Sequence, residues 1–135
     1  MGRTLRFASY GIAAAYAYGA CVHIANMAGL TGFNWLSAPL KWQVLDVVYL
    51  ALDVAVVVGI ILAKRFWIVA FGIAAISQIV LYTTLRSWVL DVPAAFAVPP
   101  ESVNYLDGMV AFHIASLAVI GALLFLHTQA RRMMT

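Results

Sequence analysis

Residues 42–63 read WQVLDVVYLALDVAVVVGIILA. The stretch is almost wholly apolar and long enough to cross a bilayer, yet it carries two aspartates. A carboxylate at the centre of a membrane helix costs roughly 2.5–3.5 kcal/mol on insertion scales, and Leu, Val or Ala would avoid that cost. Asp46, Tyr49 and Asp53 are spaced i, i+3, i+7, so on a helix they share one face. The rest of the helix is compatible with lipid. This face therefore needs partners, and the other hydrophobic segments of the chain must supply them.

Composition sets the same frame. Of 135 residues, 65% are hydrophobic and 10% are charged, where a soluble domain is nearer half apolar and a quarter charged. Such a chain has too little polar surface to cover itself in water. Four apolar segments, about 7–27, 42–63, 66–85 and 105–129, each approach the ~20 residues that a helix needs to cross hydrocarbon. None shows the alternation of a transmembrane strand. The expected fold is all-α: an integral membrane protein, a four-transmembrane-helix bundle in a single domain, 1–135. Arg3 and Arg6 before an Ala-rich run raise the possibility of a signal peptide. The apolar run continues past Cys21 to Ala28, longer than a signal core, so a retained span is expected.

The basic residues predict orientation. With both termini cytoplasmic, the inside carries Arg3, Arg6, Lys64, Arg65, Arg131 and Arg132, and the outside carries Lys41 and Arg86. Six against two is a clear positive-inside bias, and it accounts for the net charge of +3. No basic run interleaves with aromatics, so nucleic acid is not an expected partner. The expected location is a bacterial cytoplasmic (inner) membrane. The single Cys21 excludes an intrachain disulfide and any multi-cysteine zinc or iron–sulfur site.

The connections differ in kind. The first, about 28–41, holds Gly29, Gly32, Asn34, Ser37 and Pro39. The second is only Lys64-Arg65, so helices two and three form a tight antiparallel hairpin. The third, about 86–104, contains Trp88, Asp91, Pro93, Phe96, Pro99 and Pro100. It is too apolar for a free loop and too proline-broken for a span, so it is expected to lie along the membrane surface with a short interfacial helix. Pro100 and Ser102 mark the start of helix four. On helix one, Ser9, Ala13, Ala17, Cys21 and Ala25 recur every four residues, with Gly11, Ala15 and Gly19 on the next ridge. Small residues at that spacing let helices approach closely in lipid. His23 continues the glycine ridge and so points at a neighbouring helix.

At 1.5 Å per residue, sequence position becomes depth. Asp46, Tyr82, Arg86, Asp107 and His23 fall within about 6 Å of the outer boundary. Gln78, His113 and Ser116 fall about 10–15 Å down, and Asp53 lies near the midplane. Val54–Ala63 and Phe66–Ile76 are purely apolar, so polar groups collect in the outer half. Depth matches Arg86 to Asp46 as a structural ion pair, and Asp53 to Gln78 and His113. A buried carboxylate without a partner protonates, so Asp53 is expected either neutral, holding two helices together, or held by His113 or a cation. The candidate binding or proton site is Asp53, His113, Gln78, Tyr49 and His23. His127 reads as interfacial, beside Arg131 and Arg132. Tyr10, Tyr16 and Tyr18 read as belt or packing residues. Met27, Met109 and Met133-Met134 lack the spacing of a copper site.

Three classes of function fit. The chain has almost no room for a catalytic domain, which favours a small accessory subunit of a larger membrane complex, such as a respiratory, photosynthetic or other oxidoreductase assembly. Its partners would be other integral membrane subunits and lipid, and it would have no catalytic activity of its own. A second class is a redox or metal protein in which His23 and His113 hold haem or, with Asp53, a metal, or in which a quinone is bound. A third is a small proton-coupled transporter using Asp53.

Overall fold

The computed structural model describes residues 3–133, the side chains of residues 3, 101, 102 and 131 excepted. Met134 and the side chains of Arg3, Ser102 and Arg131, which entered the expectations above, lie outside the described residues. Within them the chain is all helical, with no strand. The helices are α1 (Arg3–Met27), α2 (Leu40–Ile61), α3 (Phe66–Tyr82), the short α4 (Arg86–Leu90) and α5 (Pro100–Arg132), with 3₁₀ turns at Trp35–Ser37 and Ala94–Phe96.

α2 and the stretch Val103–Ala130 of α5 are long and apolar enough to cross a membrane, with mean hydropathies of 2.5 and 2.4. α3 is equally apolar, but its 17 residues span only about 26 Å at 1.5 Å each. Gly, Ala, Ser and Tyr lower the hydropathy of α1. Among the described residues two helices, not four, therefore meet the length and hydropathy of a span.

Helix ends follow from local chemistry. α1 stops where Gly29 takes φ +71°, and the amides of Gly29 and Leu30 return to the carbonyls of Asn26 (3.0 Å) and Ala25 (2.9 Å). This closing arrangement needs the left-handed conformation that glycine adopts without penalty. α2 stops in the same way, but with Ala63 at φ 52° and Lys64 N–H donating to the Gly59 carbonyl at 2.8 Å. There the four-residue link to α3, residues 62–65, puts an ordinary residue into the left-handed region.

α1 packs on α2, α2 on α3, α3 on α5 and α5 back on α1. At the end that holds the α2–α3 turn, the space between them is filled by apolar side chains, among them Ile12, Val56, Ile60, Trp67, Phe71 and Ile120. α2 approaches α3 closely at Gly59. A Cβ there would sit 2.7 Å from Trp67 Cβ and 3.1 Å from its Cα.

The opposite end is strapped by residues 86–99. Lys41, at the start of α2, donates through Nζ to the carbonyls of Trp88 and Asp91. A cation there meets the carbonyl end of α4. The Trp42 indole N–H donates to the Val89 carbonyl at 2.9 Å, and Phe33, Trp42 and Phe96 form an aromatic trio with centroids 6.0–6.3 Å apart.

Candidate functional site

Below the strap the four long helices do not close on one another. They surround a cavity of about 530 Å³. All five residues of the expected polar cluster line it: His23 from α1, Tyr49 and Asp53 from α2, Gln78 from α3 and His113 from α5. Asp46 lines it as well. Four tyrosines outside that cluster and Phe112 complete an aromatic wall, with Tyr16 and Tyr18 on α1, Tyr82 on α3, and Tyr105 on α5.

The core of the site is a histidine between two carboxylates. His23 Nδ1 lies 2.6 Å from Asp46 Oδ1, so Nδ1 carries a proton and donates it to the carboxylate. The other ring nitrogen, Nε2, faces Asp53 Oδ2 at 3.9 Å, beyond hydrogen-bond distance. The imidazole stacks on Tyr49, with centroids 6.3 Å apart and planes 17° apart. Tyr49 donates its hydroxyl to Ser77 Oγ at 3.1 Å, and Ser77 donates in turn to the Ala74 carbonyl. Ring and carboxylate are thus held from α1, α2 and α3 together.

Asp53 is placed by what is missing opposite it. On α1 its carboxylate lies directly over Gly19, where a Cβ would come within 2.5 Å of Oδ2. Only a residue without a side chain leaves that space. Asp53 is 3% exposed, yet no hydrogen bond reaches it among the described residues. It borders the cavity, and His23 Nε2 approaches its Oδ2 to 3.9 Å.

His113 is also buried, and its Nδ1 lies 2.7 Å from the Met109 carbonyl. A carbonyl can only accept, so Nδ1 bears the proton and the neutral ring keeps a lone pair on Nε2. Tyr16 packs edge-on to His113 at 6.1 Å, and its hydroxyl is buried with no hydrogen-bond partner. Gln78 is buried and lines the cavity without bonding Asp53 or His113. The depth match of Asp53 with Gln78 and His113 therefore places all three around one space without joining them.

The expected pair of Asp46 with Arg86 does not form. Arg86 Nη1 bonds Asp107 Oδ1 at 2.6 Å, and Nη2 bonds the Val103 carbonyl at 3.3 Å. Asp46 is taken by His23 instead. The cause is the break after Tyr82. α3 ends there, so Arg86 opens a separate helix and turns towards α5 rather than continuing the α3 face. Because the side chains of this pair are 30% and 61% exposed, it contributes only about 0–1 kcal/mol. Exchanging the two residues, Arg86→Asp with Asp107→Arg, should keep thermal stability within that range in detergent. Exchanging Arg86 with Asp46 instead should destabilise, because it sets an arginine against His23.

Among the described residues, no group of three or more His, Cys, Asp or Glu side chains is arranged to hold a metal ion. His23 is already engaged by Asp46. Sequence alone missed the parts of Gly19 and Tyr16. Gly19 was visible as a member of a small-residue ridge, and Tyr16 had no signal that set it apart from the other tyrosines of α1.

The chain matches no protein-family model, no curated protein and no solved structure at a significant level.

Proposed function

We propose that the chain is a multi-pass membrane protein of the bacterial inner membrane, a bundle of four membrane-embedded helices with both termini cytoplasmic. We propose further that its outer-half cavity binds a small molecule and couples that binding to the protonation of Asp53. Membrane residence is supported by the two spanning-length helices, whose apolar windows are only 28% and 17% buried. A helix of that hydropathy at the core of a water-soluble protein would be mostly buried. The orientation is supported by the basic residues on the short loops.

The observation that carries the functional reading is Asp53. A buried carboxyl with no hydrogen bond borders a cavity of about 530 Å³ walled by aromatic rings, large enough for a small ligand. The unpartnered hydroxyl of Tyr16 at the same wall adds a second polar group left open. Each unsatisfied buried group costs about 1–3 kcal/mol, a cost that a bound ligand offsets.

One observation favours the accessory-subunit reading. A Cβ at Gly11, Gly72 or Gly121 would meet nothing within 4 Å, so bare backbone is open on α1, α3 and α5, as at helix–helix contacts in lipid. Intact-mass measurement after gentle solubilisation separates the two. The cavity reading predicts the 14.6 kDa chain carrying a small-molecule adduct that Asp53→Asn removes. Recovery only in fixed ratio with other protein subunits, with no small-molecule adduct, would overturn it in favour of the accessory subunit.

A further inference from the structure

The charge class of the ligand can be read from the cavity wall, granted that the cavity is a ligand site. An ionised carboxylate far from water must take either a proton or a cation. Among the described residues no lysine or arginine is placed to neutralise Asp53, and its one ion-pair neighbour is His23 at 3.9 Å. No lysine or arginine lines the cavity. Lys41 is committed to the carbonyls of Trp88 and Asp91, and Arg86 is committed to Asp107.

The titratable groups that line the cavity with Asp53 bear out the deficit. From α1 come Tyr16, Tyr18 and His23. On α2 itself are Asp46 and Tyr49. α3 presents Tyr82, beside the uncharged Gln78, and α5 presents Tyr105 and His113. Only the histidines can become positive. His23 is bonded to Asp46, so even as an imidazolium it balances that carboxylate and leaves Asp53 over. His113 spends its Nδ1 proton on a carbonyl and is buried at 5% exposure, which favours the neutral ring.

Six aromatic rings, those of Tyr16, Tyr18, Tyr49, Tyr82, Tyr105 and Phe112, share the wall with small and aliphatic residues and Asn26, and aromatic faces attract cations. A bare metal ion is a poor fit, since it would need several converging ligands at 2.0–2.6 Å, and among the described residues no three His, Cys, Asp or Glu side chains converge to hold one. We infer that the cavity binds a monovalent organic cation, an ammonium with a small apolar or aromatic body, and that this cation competes with a proton for Asp53. The exchange is balanced and breaks no other covalent bond: the Asp53 O–H gives up its proton to water as the cation enters, and a proton returns as the cation leaves. Gly19 leaves the carboxylate free to face the cavity in either state.

The test uses the full chain in lipid nanodiscs, with protein-free nanodiscs as the reference. Three probes of nearly one shape are compared by equilibrium dialysis: benzyltrimethylammonium, its neutral isostere neopentylbenzene, and the anion phenylmethanesulfonate. The expected result is saturable binding of the cation alone. Its affinity should fall tenfold per pH unit once Asp53 is protonated. Below that point one proton should be released per cation bound, a readout on the unaltered chain that needs no variant. Asp53→Asn should abolish cation binding, and Asp107→Asn, outside the cavity, should leave it unchanged. Saturable binding of the neutral or anionic probe with equal or greater affinity would overturn the charge assignment while leaving the cavity a ligand site. Binding of none of the three would overturn both.

Discussion

Gly19→Ala should leave the helices folded and weaken ligand binding at least tenfold. The added Cβ would stand 2.5 Å from Asp53 Oδ2 and 3.4 Å from its Cγ. The carboxyl group is the end of a short side chain, so it can swing aside where a backbone atom could not. In swinging it leaves its place beside His23 and the cavity. Exchanging glycine for alanine within a helix gains roughly 0.5–1 kcal/mol, which offsets the contact, so stability should change by less than about 1 kcal/mol. The loss of binding corresponds to about 1.4 kcal/mol or more. Gly11→Ala on the same helix meets nothing within 4 Å and should leave binding intact. Thermal unfolding in detergent and dialysis of benzyltrimethylammonium against nanodiscs measure the two effects separately. Binding unchanged in Gly19→Ala would mean that the position of the carboxyl group is not what the cavity needs.

Gly59→Leu should strongly destabilise the packing of α2 on α3. Its Cβ would collide with Trp67 Cβ at 2.7 Å, Phe66 Cε2 at 2.9 Å and Trp67 Cα at 3.1 Å. The Phe66 ring can turn, but a backbone Cα and the Cβ attached to it move only with the whole of α3. The four-residue connection, already closed through Ala63 in the left-handed region, leaves little freedom for that movement. Overpacking of this kind typically costs 1–3 kcal/mol, and the side chain beyond Cβ takes the expected value to about 3 kcal/mol. Gly72→Leu on α3 has nothing within 4 Å of its Cβ and should be nearly neutral. Denaturation midpoints of the two variants in one detergent should differ clearly, and equal midpoints would show that α2 and α3 do not pack this closely.

The helices were legible in the sequence because apolar length and turn chemistry fix them locally. The α2–α3 hairpin follows from the short link around Lys64 and Arg65, and α1 ends at Met27, just before Gly29. The polar cluster was legible for a related reason. In a chain this apolar, each polar residue on a helix stands out, and depth sorted Tyr49, Asp53, Gln78 and His113 into one layer. Partners within that layer were not legible. Asp46 and Asp107 lie at the same depth, so depth could not choose which of them Arg86 would meet. The choice was made by the helix break after Tyr82, where nothing as plain as a proline marks the end. The closeness of Asp53 to α1 was hidden as well. A glycine ridge announces a near approach but not what approaches, and here it is a carboxylate rather than a helix backbone.

The central claim is that Asp53 is a protonatable carboxyl facing a cavity within the membrane. Its most direct test is reaction of the chain in lipid nanodiscs with dicyclohexylcarbodiimide, an apolar reagent that attacks protonated carboxyl groups, followed by peptide mass measurement. The account predicts an adduct on Asp53, diminished as pH rises or as benzyltrimethylammonium is added, and none on the exposed Asp107, whose carboxylate is bonded to Arg86. Absence of any adduct on Asp53 at every pH at which the chain stays folded would contradict it.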